Sequence, residues 1–419
     1  MTTNGAIPAA SLTSSNSSMA KAMLTCQDLD VKGKTVFLRV DFNVPLNEEG
    51  QIRDDTRIKA ALPTLEYLLE QGAKLIVASH LGRPKGQVNP QLSLSPVAKR
   101  LSELLDHQVI FAPDVIGDEV NELKKGLREG QVLLLENLRF YPGETANDPV
   151  FAQELAENVD LFVNDAFGTC HRAHASVVGI APYAVKSAAG FLLTKEIEYL
   201  NKVVLSPEKP YTAILGGAKV SDKIPIIRNL LNKANNILIG GAMAYTFFAA
   251  EGLGVGRSLV EDEKKGMAME LMFMAKERDV NFRLPLDHIV AKEIAAGVTT
   301  DTIDRFPIPE DMMGLDIGPK TIEAYVQIIS EAKTIFWNGP MGVFEIDEFA
   351  NGTMKIAEAV ANSEAMTIIG GGDSVAAVYK AGVSDKISHI STGGGASLEY
   401  IANETLPGIE ALTEKQHDE

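Results

Sequence analysis

Four arginines and one histidine recur in similar settings through the first half of the chain: Arg57, Arg83, Arg139, Arg172 and His80. Each stands in a polar loop beside a short apolar run. A guanidinium binds phosphate or carboxylate through two parallel hydrogen bonds. Several converging on one cleft would hold a small ligand with more than one anionic group. Asp41 and Asn43, directly after the first apolar run, could accept hydrogen bonds from its hydroxyls. Any single arginine of this kind is most simply a surface cation paired with a nearby acid. The repetition favours a site.

The second half offers different chemistry. Glycine pairs at Gly216-Gly217 and Gly240-Gly241, and triplets at 370–372 and 393–395, each follow an apolar run. A glycine there lets the backbone approach a phosphate, and the next helix presents its N–H groups and positive end. Lys219 and Lys223 could reach phosphate oxygens as point charges, and Asp373 could hold a magnesium ion that bridges phosphates. One glycine triplet ordinarily marks a tight turn. Two triplets and two pairs in the same position point to a nucleotide. A polyanion half beside a nucleotide half suggests phosphoryl transfer, which needs alignment and neutralised charge more than covalent help. A carboxylate acceptor would already be ionised at neutral pH, in keeping with the lack of an obvious general base.

These groups need elements to position them. Residues 35–40, 75–78, 132–135 and 161–163 read as buried strands, as do 211–215, 236–239, 334–337, 366–369 and 387–390. Ile58, Ala61, Leu62, Leu65 and Leu69 follow helical spacing, which Gly72 stops, and 97–105 reads as a further helix. Strand–helix alternation predicts parallel sheets covered on both faces, with ligands at the carboxyl edge of the strands. A helical stretch over 191–204, closed by Pro207 and Pro210, links the halves. The expected fold is α/β: two Rossmann-like domains, each a mostly parallel sheet with helices on both faces, joined by a hinge helix.

The totals exclude several classes. Two domains suit 419 residues. A net charge of −17 disfavours a broad nucleic-acid or anionic-membrane surface. No apolar run is long enough for a membrane span. Cys26 and Cys170 suit a reducing compartment better than a disulfide framework. Residues 1–22 read as a disordered extension, with only a faint likeness to a transit peptide. Gly33-Lys34-Thr35 precedes a strand where a P-loop follows one. Gly252, Gly254 and Gly256 follow a helix, which argues against a dinucleotide fingerprint. Metal-type His/Cys spacings, protein-kinase motifs and a G-x-S-x-G elbow are missing. His288 and His389 stand alone and read as core or surface residues.

From about Leu24 onward the chain resembles the phosphoglycerate kinase family. The motifs are R-V-D-F-N-V-P at Arg39, D-D-T-R-I at Asp54, S-H-L-G-R-P at Ser79, E-N-L-R-F at Glu136 and H-R-A-H at His171. The second half adds G-G-A-K-V-S-D-K at Gly216, W-N-G-P-M-G-V-F-E at Trp337, G-G-G-D-S at Gly370 and S-T-G-G-G-A at Ser391. The resemblance implies reversible transfer of the acyl phosphate of 1,3-bisphosphoglycerate to Mg-ADP, giving 3-phosphoglycerate and ATP.

By that analogy Asp41, Asn43, Arg57, His80, Leu81, Gly82, Arg83, Arg139 and Arg172 hold the three-carbon acid. Gly217, Lys219, Lys223, Gly240, Gly241, Gly314, Asn338, Pro340, Glu345, Gly371, Gly372, Asp373 and Ser374 meet the nucleotide, and Asp373 its magnesium ion. Arg57, Lys219, Gly371 and Gly394 would carry catalysis. Ser374 stands where the family usually has Thr; both offer a hydroxyl.

The implied domains are 23–190 for phosphoglycerate, 191–205 as the linking helix, 206–403 for the nucleotide, and 404–419 packing back on the first. A cytoplasmic monomer acting on small molecules alone is the expected state, with lobes that close for transfer. The rival is a two-lobed protein that binds an anionic metabolite without chemistry.

Overall fold

The computed structural model describes residues 23–414. The expectation for 1–22 lies outside the described residues, as does the final part of the 404–419 segment. Among the described residues, no helix is long and apolar enough to cross a membrane.

The first sheet contains β1 (Thr35–Arg39), β2 (Lys74–Ala78), β3 (Val109–Phe111), β4 (Val132–Leu134), β5 (Leu161–Asn164) and β6 (Lys186–Ala189). Their order is β3-β4-β2-β1-β5-β6, parallel throughout. All five residues of β1 are buried. A parallel strand covered on both faces has no solvent side, so its sequence runs apolar instead of alternating.

The second half holds β7 (Tyr211–Leu215), β8 (Asn236–Ile239), β9 (Asn281–Arg283), β10 (His288–Ala291), β11 (Asp301–Ile303), β12 (Met313–Ile317), β13 (Thr334–Asn338), β14 (Met366–Ile369) and β15 (His389–Ile390). Six of these form a second parallel sheet, ordered β15-β14-β13-β7-β8-β9. The two mostly parallel sheets with their helices bear out the α/β reading. The small antiparallel sheet β11-β10-β12 was not expected. Its strands are short and β11 is largely exposed, so they leave no clear periodic signal. β15 is shorter than the 387–390 run: a 3-10 turn at Ser384–Lys386 has Ile387 as its C-cap, and the strand starts only at His389.

The helix Phe191–Val204 lies between the sheets in sequence. Its N-terminus is capped from elsewhere: Asp165 Oδ1, in the loop after β5, accepts hydrogen bonds from the backbone N–H of Leu192 (2.9 Å) and Leu193 (3.2 Å). The last described residues return to the first sheet. Gly408 N–H donates to the Cys170 carbonyl at 2.9 Å, Leu24 N–H to the Thr413 carbonyl at 3.0 Å, and Ser187 N–H to Thr413 Oγ1 at 2.9 Å.

Burial pushes the Asp165 carboxyl up to about 7, against the opposing hydrogen bonds from Thr64, Leu193 and Leu192. The folded state therefore holds the proton more tightly than the unfolded chain. Its contribution is fully present below the unfolded value near 4 and is lost as pH rises through 7. Asp165→Asn should flatten that part of the stability–pH profile, with the wild type losing stability relative to the variant between those limits. Urea unfolding across this range is the measurement.

Candidate functional site

The loops at the carboxyl edge of the first sheet enclose a cavity of about 330 Å3. Asp41 and Asn43 enter it from the end of β1, and Arg57 from the first turn of the helix Thr56–Glu70. His80, Gly82 and Arg83 follow β2, Arg139 follows β4, and Gly168, Thr169, His171 and Arg172 follow β5. The five cationic or potentially cationic groups singled out in the sequence thus line one space. They meet because parallel strands end on the same side, so chain segments far apart in sequence share a rim.

Local bonds hold the rim. Arg57 pairs with Asp41 and remains 42% exposed at the side chain. Asn43 Oδ1 accepts from Gly82 N–H at 2.9 Å, and Arg139 Nη1 donates to the Gly82 carbonyl at 2.7 Å. Burial lowers the Arg139 guanidinium to about 10, helped by Arg39 and Arg172. His174 falls to about 4 through burial and then Arg39, Arg139 and Arg172. Leu81 stands apart: its side chain is buried in the hydrophobic core and does not line this cavity.

The sequence reading passed over Arg39. It ends the all-buried β1, is fully buried, and lies beneath the cavity beside His80. A charged residue closing an apolar strand was the available signal. Thr169, His171 and Thr392 are further lining residues without an assigned role in that reading.

A second cavity, about 340 Å3, lies at the carboxyl edge of the second sheet. It is lined by Gly217, Lys219 and Lys223 after β7, Asn338 at the end of β13, and Gly371, Gly372, Asp373 and Ser374 after β14. Lys223 is buried and donates to Asn338 Oδ1, and its burial lowers the ammonium. Ser374 Oγ accepts from Gly339 N–H at 2.5 Å and donates to the Gly370 carbonyl at 3.0 Å. Gly371 has φ +91°, and a Cβ there would overlap Asn338 Nδ2. The position therefore needs glycine both for its backbone and for space.

Gly240, Gly241, Gly314, Pro340 and Glu345 do not line this cavity. Two of them adjoin it: Gly217 N–H donates to the Pro340 carbonyl at 3.0 Å, and Gly241 packs against the Gly217 backbone. Gly314 lies against the Tyr245 hydroxyl, and Glu345 is exposed.

Asp373 is exposed in the first turn of the helix Gly372–Lys380. Among the described residues, no group of three metal-type side chains forms a cage. One carboxylate beside a glycine cradle suits a magnesium ion that arrives with phosphates, since that ion keeps much of its coordination for them and for water.

The two cavities share Gly394 and Gly395. That loop is fixed by Glu196 of the helix Phe191–Val204. Its Oε1 accepts from Thr392 N–H and from Thr392 Oγ1, each at 2.7 Å, and Oε2 accepts from His389 Nε2 at 2.9 Å. The His389 ring stacks on Tyr199 with centroids 4.5 Å apart. Burial alone would raise the Glu196 carboxyl, but the hydrogen bonds and the His389 charge outweigh it and hold the group below its usual value.

A family model described as phosphoglycerate kinase matches residues 26–404. The chain is 57% identical to the phosphoglycerate kinase of Thermosipho africanus, over 94% of this chain and 98% of that one. It is 58% identical to that of Acidobacterium capsulatum, over 94% and 99%. Among solved structures, phosphoglycerate kinase from Coxiella burnetii superposes with a TM-score of 0.86 at 40% identity, over 93% of this chain and 98% of that one. The Pyrococcus horikoshii enzyme gives 0.78 at 38% identity, with the same coverage.

Glu196→Ala strips Thr392 and His389 of a buried acceptor. It should cost about 2–4 kcal/mol of stability, measured by denaturant unfolding. Glu196→Gln, which keeps one acceptor oxygen, should cost less.

Proposed function

The chain belongs to the phosphoglycerate kinase family, and from that premise we propose how its two cavities divide the reaction. The first holds 3-phosphoglycerate or 1,3-bisphosphoglycerate, and the second holds ADP or ATP. The acyl phosphate passes reversibly between them. The observation that carries this reading is the loop at Gly394 and Gly395, which borders both cavities. A non-catalytic anion binder would not need a second, glycine-lined cavity on the same rim, and the relatives matched along nearly their whole length are named as kinases.

In the first cavity the arginines neutralise the phosphate and carboxylate of the three-carbon acid. Asn43, held by Gly82, and Asp41, held by Arg57, face its hydroxyl. The attacking carboxylate is ionised at neutral pH and needs no base. Orientation therefore dominates: a carboxylate oxygen must lie in line with the bond being broken.

In the second cavity Lys219, exposed after β7, and Lys223, anchored on Asn338, meet phosphate oxygens. Backbone N–H groups at Gly371 and Gly372 continue that cradle into the positive end of the following helix. The Gly240, Gly241, Gly314, Pro340 and Glu345 group lies beyond it and borders the base and ribose. Asp373 would hold magnesium, which neutralises charge on the nucleotide phosphates.

During transfer, negative charge spreads over the migrating phosphoryl oxygens. Arg57 from one rim, Lys219 from the other, and the backbone at Gly371 and Gly394 stabilise it. Both side chains are exposed in the free protein. The two sites stand on different sheets, so the lobes approach about the helix Phe191–Val204. The working state is a cytoplasmic monomer that uses small molecules only.

Arg57→Ala and Lys219→Ala should each lower kcat by about 100-fold or more while changing ADP affinity far less. Steady-state kinetics beside calorimetric ADP titration tests this, and wild-type turnover in both variants would reject the assignment. Small-angle scattering with both substrates should show compaction relative to the free protein.

A further inference from the structure

The first cavity rests on a buried polar network that anion binding by itself does not require. Arg39 is fully buried at the end of β1. Its Nε donates to Ser176 Oγ at 2.8 Å, and Nη1 donates to the Val40 carbonyl. Ser176 is held in turn: its Oγ donates to Glu144 Oε1 at 2.6 Å, and its N–H donates to Oε2 at 3.0 Å. Glu144 is itself fully buried, with Oε1 3.9 Å from Arg39 Nη2. The guanidinium is therefore clamped on three sides.

Its remaining edge faces a ring. Arg39 Nη2 lies 3.2 Å from His80 Nδ1. A guanidinium has donors and no acceptor. The contact is a hydrogen bond only if His80 Nδ1 carries a lone pair. A neutral imidazole then bears its proton on Nε2, and the two nitrogens are no longer interchangeable. His80 lines the cavity while only 4% exposed.

We propose that Arg39 is a positioning residue that locks His80 as the Nε2–H tautomer, so the ring meets the bound three-carbon anion as a neutral donor throughout the working pH range. The proposal rests on the reading that this cavity takes that anion. It assigns Arg39, Ser176 and Glu144 a part in the reaction's substrate recognition although none of them lines the cavity.

The surroundings favour it. The groups that bear most on the ring are Arg39, Arg139, Arg57 and His174, and Asp41, Arg83, His171 and Arg172 line the same cavity. Among the described residues, no carboxylate lies within ion-pair distance of His80, and Glu144 instead counters Arg39 and lies 3.8 Å from His174 Nδ1. Protonating His80 would place a second N–H against a guanidinium that cannot withdraw. Burial and the same cations also push the ring well below its ordinary value. An unconstrained histidine would tighten anion binding as pH falls through its titration, whereas this one would leave affinity unchanged.

The test uses the full chain labelled with 15N-histidine and assigned with His80→Gln. Two-bond 1H–15N correlations should show a pyridine-type Nδ1 and a pyrrole-type Nε2 for His80, constant from about pH 5 to 8. The Nε2 signal should move when 3-phosphoglycerate is added. In Arg39→Met the ring should populate both tautomers, while burial and the remaining cations still hold it below its ordinary value. The KM for 3-phosphoglycerate should then rise severalfold, with the KM for ATP unchanged. Should Arg39→Met fail to fold, Ser176→Ala should give a smaller tautomer mixture, which Ser176→Thr restores.

A proton on Nδ1 in the wild type, a wild-type titration near the ordinary value, or an unaltered tautomer in the folded variants would each overturn the proposal. A locked tautomer with no response of any first-cavity signal to 3-phosphoglycerate would instead refute the substrate reading on which it rests.

Discussion

The carboxylate of Glu196 ties the two halves of the molecule into one site. It is buried on the helix that joins the sheets and satisfies three donors on the far side of that junction. A buried carboxylate is costly unless its oxygens are well supplied with donors. The geometry of Thr392 and His389 relative to the helix is thereby narrowly constrained. The constraint passes through Gly393 to Gly394 and Gly395, the glycines that border both cavities. The two chemical rims are consequently coupled through one acid, not merely placed near each other.

A second constraint is electrostatic. Four arginines around a cavity of about 330 Å3 repel one another in the absence of an anion. The fold moderates this locally. Arg57 is paired with Asp41, Arg39 is compensated by Glu144 beneath the floor, and burial keeps His80 and His174 uncharged. The cavity is thus strongly cationic toward a ligand and tolerable without one. The glycine-lined cavity uses another device, presenting backbone N–H groups and only two lysines, one of them buried on Asn338. Backbone donors carry no net charge, so this rim adds little to the repulsion.

Much of this was legible in the residues. Both parallel sheets were visible because doubly covered strands such as β1 and β7 are buried throughout and largely apolar, and each runs into a loop of distinct chemistry. The arginines and glycine turns were found by their position after such runs. What stayed hidden was tertiary. Asp165 caps a helix that begins 26 residues later in the chain, and nothing in its neighbourhood announces that. Glu196 is one polar position on the helix Phe191–Val204, and its partners lie almost two hundred residues away. Arg39 was masked by the strand that buries it. The antiparallel β11-β10-β12 sheet escaped because its strands are too short to impose a period.

The return of the last described residues to β6 and to Leu24 has a temporal consequence. A ribosome delivers the first sheet complete long before it delivers Gly408 and Thr413. Until then the backbone groups at Leu24, Cys170 and Ser187 lack these hydrogen-bond partners, while the second sheet is still being made. The nascent first half is therefore a provisional body, solvated or chaperoned along that seam. Only when Gly408 and Thr413 have emerged can that seam be sewn shut.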